Sequence, residues 1–157
     1  MATFIGDFVC KADAKGRIVL PSLFKKAMGA MEENRFVVRK DLFEECLILS
    51  PYPEWEQEMD EIRSRVNMYN RAENKFYRQY FRGAAEVTFD SNGRVLLPKR
   101  LLEKINMPKE MVLVGVDRKI ELWSKSVYDD DELGEGELAL MAEKILGNSD
   151  NRVKETE

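Results

Sequence analysis

Residues 13–21 read DAKGRIVLP, and residues 90–98 read DSNGRVLLP, 77 residues further on. No other feature of the chain constrains its fold as strongly. The same shift aligns Phe4 with Phe81, Gly6 with Gly83, Asp13 with Asp90 and Gly16 with Gly93. It aligns Arg17 with Arg94, Leu20 with Leu97 and Pro21 with Pro98, and it reaches Glu33 with Glu110 and Val37 with Val114. Matches in this order, with no gap, indicate two copies of one supersecondary unit.

Each unit reads as β-turn-β-helix-β-β. FVCKAD and AEVTFD have strand character. DAKG and DSNG are turn sequences, because Asp can bond its own backbone two residues on and Gly supplies positive φ. RIVL and RVLL follow as apolar strands. Pro21 and Pro98 cannot continue a central ladder, but they suit the first turn of a helix. SLFKKAMG is then a short helix closed by Gly29, and KRLLEKINM is its partner, stopped by Pro108. RFVVRK with CLIL, and MVLVGV with KIELW, complete the units as strand pairs. About 50 residues bury little surface alone, so the two copies are expected to share one core as an intrachain pseudo-dimer.

Between the copies, Trp55, Met59, Ile62 and Val66 recur at offsets that make an amphipathic stripe, which predicts a helical connector with a packing face. Next along, Arg71, Lys75, Arg78 and Arg82 form a basic stripe, read as a solvated or subunit-pairing face or as a further phosphate track. DDDELGEGELALMAEKILG predicts a linker and a short helix, with Glu135 and Glu137 favourably near its N-terminus. Its apolar face of Leu138, Met141, Ala142 and Ile145 could dock on this chain or on a neighbour. Residues 148–157 are expected to be disordered.

Composition narrows the function. The chain has no histidine, which removes Ser-His-Asp and Cys-His catalysis and every His-ligated metal site. Cys10 and Cys46 form no CxxC pair and read as buried apolar residues. No paired-carboxylate site or Walker loop is present, so an enzyme, a cofactor or a metal is not expected. No apolar run is long enough to span a bilayer, and the opening residues lack the basic start of a signal peptide. The expected location is therefore cytoplasmic. The net charge of −4 conceals an asymmetry. Residues 129–157 hold ten acidic and three basic side chains, net −7, which leaves +3 for residues 1–128. Residues 1–40 alone carry eight basic side chains against four acidic ones. DNA responds to such a local basic surface rather than to the average.

The pattern D-x-x-G-R-apolar-x-apolar-P before a short helix resembles the AbrB-like (SpoVT-AbrB) swapped-hairpin domain of bacterial transition-state regulators. Two tandem copies, each with D-x-x-x-R, after the opening TFIGDFVCKADAKGR, resemble the MraZ family over about residues 3–126. The resemblance implies an α+β fold of two swapped-hairpin units closing an intrachain pseudo-dimer barrel. The expected divisions are a first unit at 3–50, a helical connector at 51–79, a second unit at 80–126, and an acidic linker, short helix and flexible tail at 127–157.

In function, the resemblance implies a transcriptional regulator of the division and cell-wall gene cluster, more a repressor than an activator. It would act as a ring-shaped homo-oligomer on repeated G-rich boxes in double-stranded DNA, associated with the nucleoid. The D-x-x-x-R motif is the family's DNA-contacting region. It carries over to Asp13 and Arg17, and by symmetry to Asp90 and Arg94. The arginine fork suits the O6 and N7 of guanine, while Asp, which repels phosphate, suits shaping the turn or orienting the arginine. Lys11, Lys15, Lys25 and Lys26 would contact phosphates. Thr88 and Asn92 replace Lys11 and Lys15 in the second copy, which favours the first copy as the reader and leaves a subunit contact open for Arg94. The rival readings are an AbrB-like protein–protein scaffold without sequence preference on DNA and, more distantly, a carboxylate or lysine enzyme. No membrane and no small-molecule substrate is expected.

Overall fold

The structure, a computed structural model, describes residues 3–147. The first copy runs β1 (Phe4–Cys10), β2 (Arg17–Val19), α1 (Ser22–Ala30), β3 (Arg35–Lys40) and β4 (Cys46–Pro51). Two connecting helices follow, α2 (Tyr52–Arg65) and α3 (Arg71–Phe81). The second copy repeats the order as β5 (Ala85–Thr88), β6 (Arg94–Leu96), α4 (Lys99–Glu103), β7 (Met111–Asp117) and β8 (Lys119–Ser124). The helices α5 (Lys125–Asp130) and α6 (Glu135–Leu146) come last. The architecture is mixed α+β.

The copies exchange strands. One antiparallel sheet has the order β1-β7-β8-β4-β3-β5, and β2 pairs with β6 in a separate ribbon. Thus β1 lies against β7 of the second copy, while β5 lies against β3 of the first. Alternation explains the choice of face. Phe4 and Phe8 of β1 turn inward and meet the ring of Phe24 edge-on at 5.5 and 5.1 Å. One core holds Phe4, Ile18, Phe24 and Phe36 of the first copy with Val95, Leu101, Met111 and Leu113 of the second. Neither copy could close that core alone. On the outer face, Trp55 and Met59 of α2 and Tyr80 of α3 cover Val37. Further along the same face, Val127 and Tyr128 of α5 pack on Val112, Val114 and Trp123.

The constant shift of 77 fails beyond the prolines. Cys10 pairs with Met111 and Val87 pairs with Phe36, and Cys10 and Val87 are 77 apart. Met111 therefore stands where Phe36 stands, only 75 residues on, and Val112 rather than Val114 matches Val37. The cause is helix length. α1 has nine residues and α4 has five. α1 runs past Gly29, and its chain reverses at Glu32, φ 55°. α4 ends at Glu103, well before Pro108, through the left-handed Asn106 and Met107. Each helix closes with the same long bond, Glu33 N–H to Met28 C=O at 3.1 Å and Met107 N–H to Leu102 C=O at 2.9 Å. A backbone device thus replaces the Gly and Pro stops that the sequence suggested.

In the connector, Trp55 and Met59 are buried, but α2 stops at Arg65, so Val66 falls just outside it. α6 forms where expected, yet its side chains are exposed, Leu138 and Met141 included. The expected disordered tail, residues 148–157, lies outside the described residues.

Candidate nucleic-acid interface

Each turn is built around one aspartate. Asp13 Oδ1 accepts the backbone N–H groups of Lys15 and Arg17, both at 2.9 Å, and Oδ2 accepts Arg17 Nε–H at 2.7 Å. Asp90 repeats this with the N–H groups of Asn92 (2.9 Å) and Arg94 (3.0 Å) and with Arg94 Nε–H (3.0 Å). The backbone closes both loops, with Asp13 N–H on Arg17 C=O and Gly16 N–H on Asp13 C=O, and the same pair at Asp90, Arg94 and Gly93. Gly16 and Gly93 take the left-handed conformation at φ 88° and 76°. The N–H of Arg17, and next its guanidinium, hold the Asp13 carboxyl down to about 2. Asp90 is lowered in the same direction, first by the Arg94 N–H. Both carboxylates thus stay charged as clamps. The clamp uses Nε and leaves Nη1 and Nη2, the donors of a bidentate fork, unused by the aspartate.

The ribbon places both arginines on one face. Arg17 pairs with Leu96, Ile18 with Val95 and Val19 with Arg94. Ile18 and Val95 are buried. Alternation then turns Arg17, Val19, Arg94 and Leu96 outward. Val19 is 59% exposed and Leu96 56%. Arg17 and Arg94 are diagonal neighbours on that face, roughly 7–8 Å apart by sheet geometry. Each turn is braced by the other copy, since Leu97 N–H donates to Gly16 C=O at 3.0 Å and Leu20 N–H to Gly93 C=O at 2.7 Å.

The lysines divide. Lys11, Lys15 and Lys26 are exposed. Lys25 is committed elsewhere, with its ammonium donating to the Ser91 carbonyl in the second turn. Lys25 therefore braces that turn instead of standing free for phosphate. The structure also adds residues that sequence reasoning missed. Lys99 and Lys109, from the second copy, line one cavity with Lys11 and Asp13 of the first turn. Strand exchange brings them there, and a reading of each copy by itself could not find them. Val19 and Leu96 were readable in sequence only as strand residues; the structure leaves both exposed on the arginine face. Of the α3 stripe, Arg71, Lys75 and Arg78 are exposed, with Arg78 Nη2 donating to Asn74 at 3.2 Å.

Fold and site together define a class: a duplicated α+β protein that displays two aspartate-clamped arginines on one face shared by its copies. A family model described as "MraZ protein, putative antitoxin-like" matches residues 80–134. A protein of Bacteroides thetaiotaomicron named transcriptional regulator MraZ is 39% identical over 152 residues, covering 97% of each chain. The protein of that name from Phocaeicola vulgatus is 34% identical over 94% of this chain and 96% of its own. That from Desulforamulus reducens is 38% identical over 80% and 84%. This chain belongs to the MraZ family.

Proposed function

We propose that this protein is a sequence-specific DNA-binding transcriptional regulator and not an enzyme. The observation that carries the reading is the shared face on which Arg17 and Arg94, each clamped at Nε by its own aspartate, flank exposed Val19 and Leu96. A clamped guanidinium is preorganised to bond guanine O6 and N7, and an exposed apolar side chain suits the thymine methyl. Lys11, Lys15 and Lys26 supply phosphate contacts, joined by Lys99 and Lys109 beside the first turn. The names of the relatives support regulation of transcription. The exchange of β1 and β5 supports the tandem AbrB-like swapped-hairpin architecture, with units at 3–50 and 80–126, the connector at 51–79 and the acidic segment from 127. The family resemblance extends the proposal to repression of the division and cell-wall gene cluster, by a ring-shaped homo-oligomer on repeated promoter boxes within the nucleoid. A ring would repeat a weak contact along the duplex and gain avidity where box and subunit spacing match.

The test is a titration of the duplex upstream of the protein's own gene against a scrambled duplex at several salt concentrations. Wild type should prefer its own promoter, and Arg17→Ala should lose about 1–3 kcal/mol of that preference while staying folded. Lys15→Ala should weaken both duplexes alike and reduce the salt slope. Arg94→Ala reports whether the second turn reads DNA. Equal binding of both duplexes by wild type would favour the scaffold reading. The exposed apolar Leu138, Leu140 and Met141 of α6 are the surface that favours this second reading.

A further inference from the structure

DNA binding of the kind proposed uses Lys11, Lys99 and Lys109 at the base of the first turn but not the cavity that they line. That cavity has a volume of about 280 Å³. Leu102, Met107 and Pro108 make an apolar wall, and Lys11, Lys99 and Lys109 stand around it. Asp13 also lines it, but that carboxylate is occupied by the three turn bonds described above. The site therefore combines three lysines with an apolar wall among its lining residues.

The second turn shows what the first one lacks. Ala12 is the counterpart of Phe89 under the 77-residue shift. Phe89 packs partly buried against the core, with its ring 6.2 Å from Phe36, and its N–H donates to Asn34 C=O at 3.2 Å. Phe36 is the counterpart of Met111, which lines the cavity. The side chain nearest Gly93 is Lys25, and that nearest Gly16 is Leu102. Lys25 crosses to Ser91, whereas Leu102 leaves an apolar surface. One protein thus contains the same turn in two forms. One is filled by a phenyl ring and sealed by a lysine. The other is left open by an alanine, with an apolar wall and a cationic rim.

We propose that the open form is a ligand site for a small amphipathic anion, a compact apolar body carrying a phosphate or carboxylate, and that its occupancy weakens DNA binding by the first turn. The apolar body lies against Leu102, Met107 and Pro108, and the anionic group meets Lys11, Lys99 and Lys109. A bound anion neutralises lysines that otherwise face DNA phosphates. The coupling to DNA rests on the reading given under Proposed function; the ligand site does not.

Hexyl phosphate, hexanoate and the neutral hexanol are suitable probes, followed on the full chain by saturation-transfer NMR and calorimetry without DNA. Hexyl phosphate is expected to bind saturably at one site per chain, with hexanol weaker. Ala12→Phe installs the residue that the second turn already accommodates and should abolish binding with the fold intact. The double substitution Lys99→Gln, Lys109→Gln should weaken hexyl phosphate by roughly five-fold, the scale of exposed charge contacts. No saturable binding by wild type overturns the site, as does unchanged binding in folded Ala12→Phe. If Ala12→Phe fails to fold, unchanged affinity in the double lysine variant overturns it. With the promoter duplex added, saturating hexyl phosphate should lower wild-type affinity and leave that of Ala12→Phe unchanged; an unchanged wild type overturns the coupling. If ligand-free wild type shows no promoter preference, the DNA reading and the coupling fall together, and the binding data taken without DNA decide the site alone.

Discussion

Ile18 pairs directly with Val95, its own counterpart in the other copy. A residue can face its counterpart only on a pseudo-twofold axis, so that axis passes between these two side chains. Everything placed one step away is doubled about it. Arg17 and Arg94 come to one face, and Gly16 and Gly93 brace opposite ends of the ribbon. The duplication is thus a way of making a two-armed surface from one chain.

The Ile18–Val95 contact should therefore hold the site as well as the core. Ile18 is 1% exposed, and Val19 beside it is exposed. Ile18→Ala should cost about 2–5 kcal/mol by chemical denaturation, the range for emptying a packed aliphatic position. Val19→Ala should stay within about 0.5 kcal/mol, because most of that side chain already faces solvent. Equal effects from the two would mean that the ribbon does not seat on the core.

The aspartate clamp has a pH signature. Asp13 is lowered from its ordinary 3.8 to about 2, first by the Arg17 N–H and then by the Arg17 guanidinium. A depressed carboxyl stabilises the folded state above its unfolded value, and that contribution is lost as pH falls from there through about 2. A carboxyl-carbon NMR titration should find the Asp13 midpoint near 2 in wild type. In Arg17→Ala it should rise but stay under 3.8, since the backbone N–H groups remain. A wild-type midpoint at 3.8 would show the turn to be open.

The thiols should be inert. Burial pushes Cys10 up to about 11 and Cys46 up to about 12. Because the thiolate is the nucleophile, native protein near neutral pH should alkylate far more slowly than the same protein in denaturant. Rapid native labelling of Cys10 would contradict its place on β1.

The turns, the doubled D-x-x-x-R and the order of elements were legible because they depend on neighbours in sequence. Asp at the first turn position and Gly three residues on leave the chain little choice. The exchange of β1 and β5 was implied only by the family resemblance and was not legible in the residues themselves, since β1 has the same alternating apolar face whichever β-hairpin it joins. Helix ends were misread for a related reason. Gly29 fits a helix stop, yet α1 runs on to Ala30 and the chain turns at Glu32, while Asn106 and Met107 close α4 without a glycine. Lys99 and Lys109 were visible as residues but belonged, in sequence, to the wrong turn. The difference between Ala12 and Phe89 was visible too. It acquires meaning only once both turns are known to sit on one core.

The glycines give the most discriminating test, because they differ in what a methyl group would meet. At Gly16 a Cβ would lie 2.8 Å from the Leu97 carbonyl oxygen, and φ is positive. Both effects oppose Gly16→Ala, and the neighbour is backbone that also anchors the turn. At Gly93 the nearest atom is the Leu20 carbonyl oxygen at 3.4 Å, with φ again positive, so the left-handed strain dominates. At Gly29, inside α1, a Cβ would meet no described heavy atom within 4 Å beyond its chain neighbours and its own helix backbone, and the conformation is helical. Gly29→Ala should stabilise by about 0.5–1 kcal/mol, the ordinary gain of alanine in a helix. Gly93→Ala should destabilise by about 1–2 kcal/mol from the left-handed conformation alone. Gly16→Ala should cost more than Gly93→Ala and should also reduce promoter preference, because the clamp of Asp13 on Arg17 is built on that turn. Measured thermal midpoints should rank Gly29→Ala above wild type, then Gly93→Ala, then Gly16→Ala. A reversed order for Gly16 and Gly93 would mean that the Leu97 carbonyl does not approach the first turn as closely as the pairing of β2 with β6 places it.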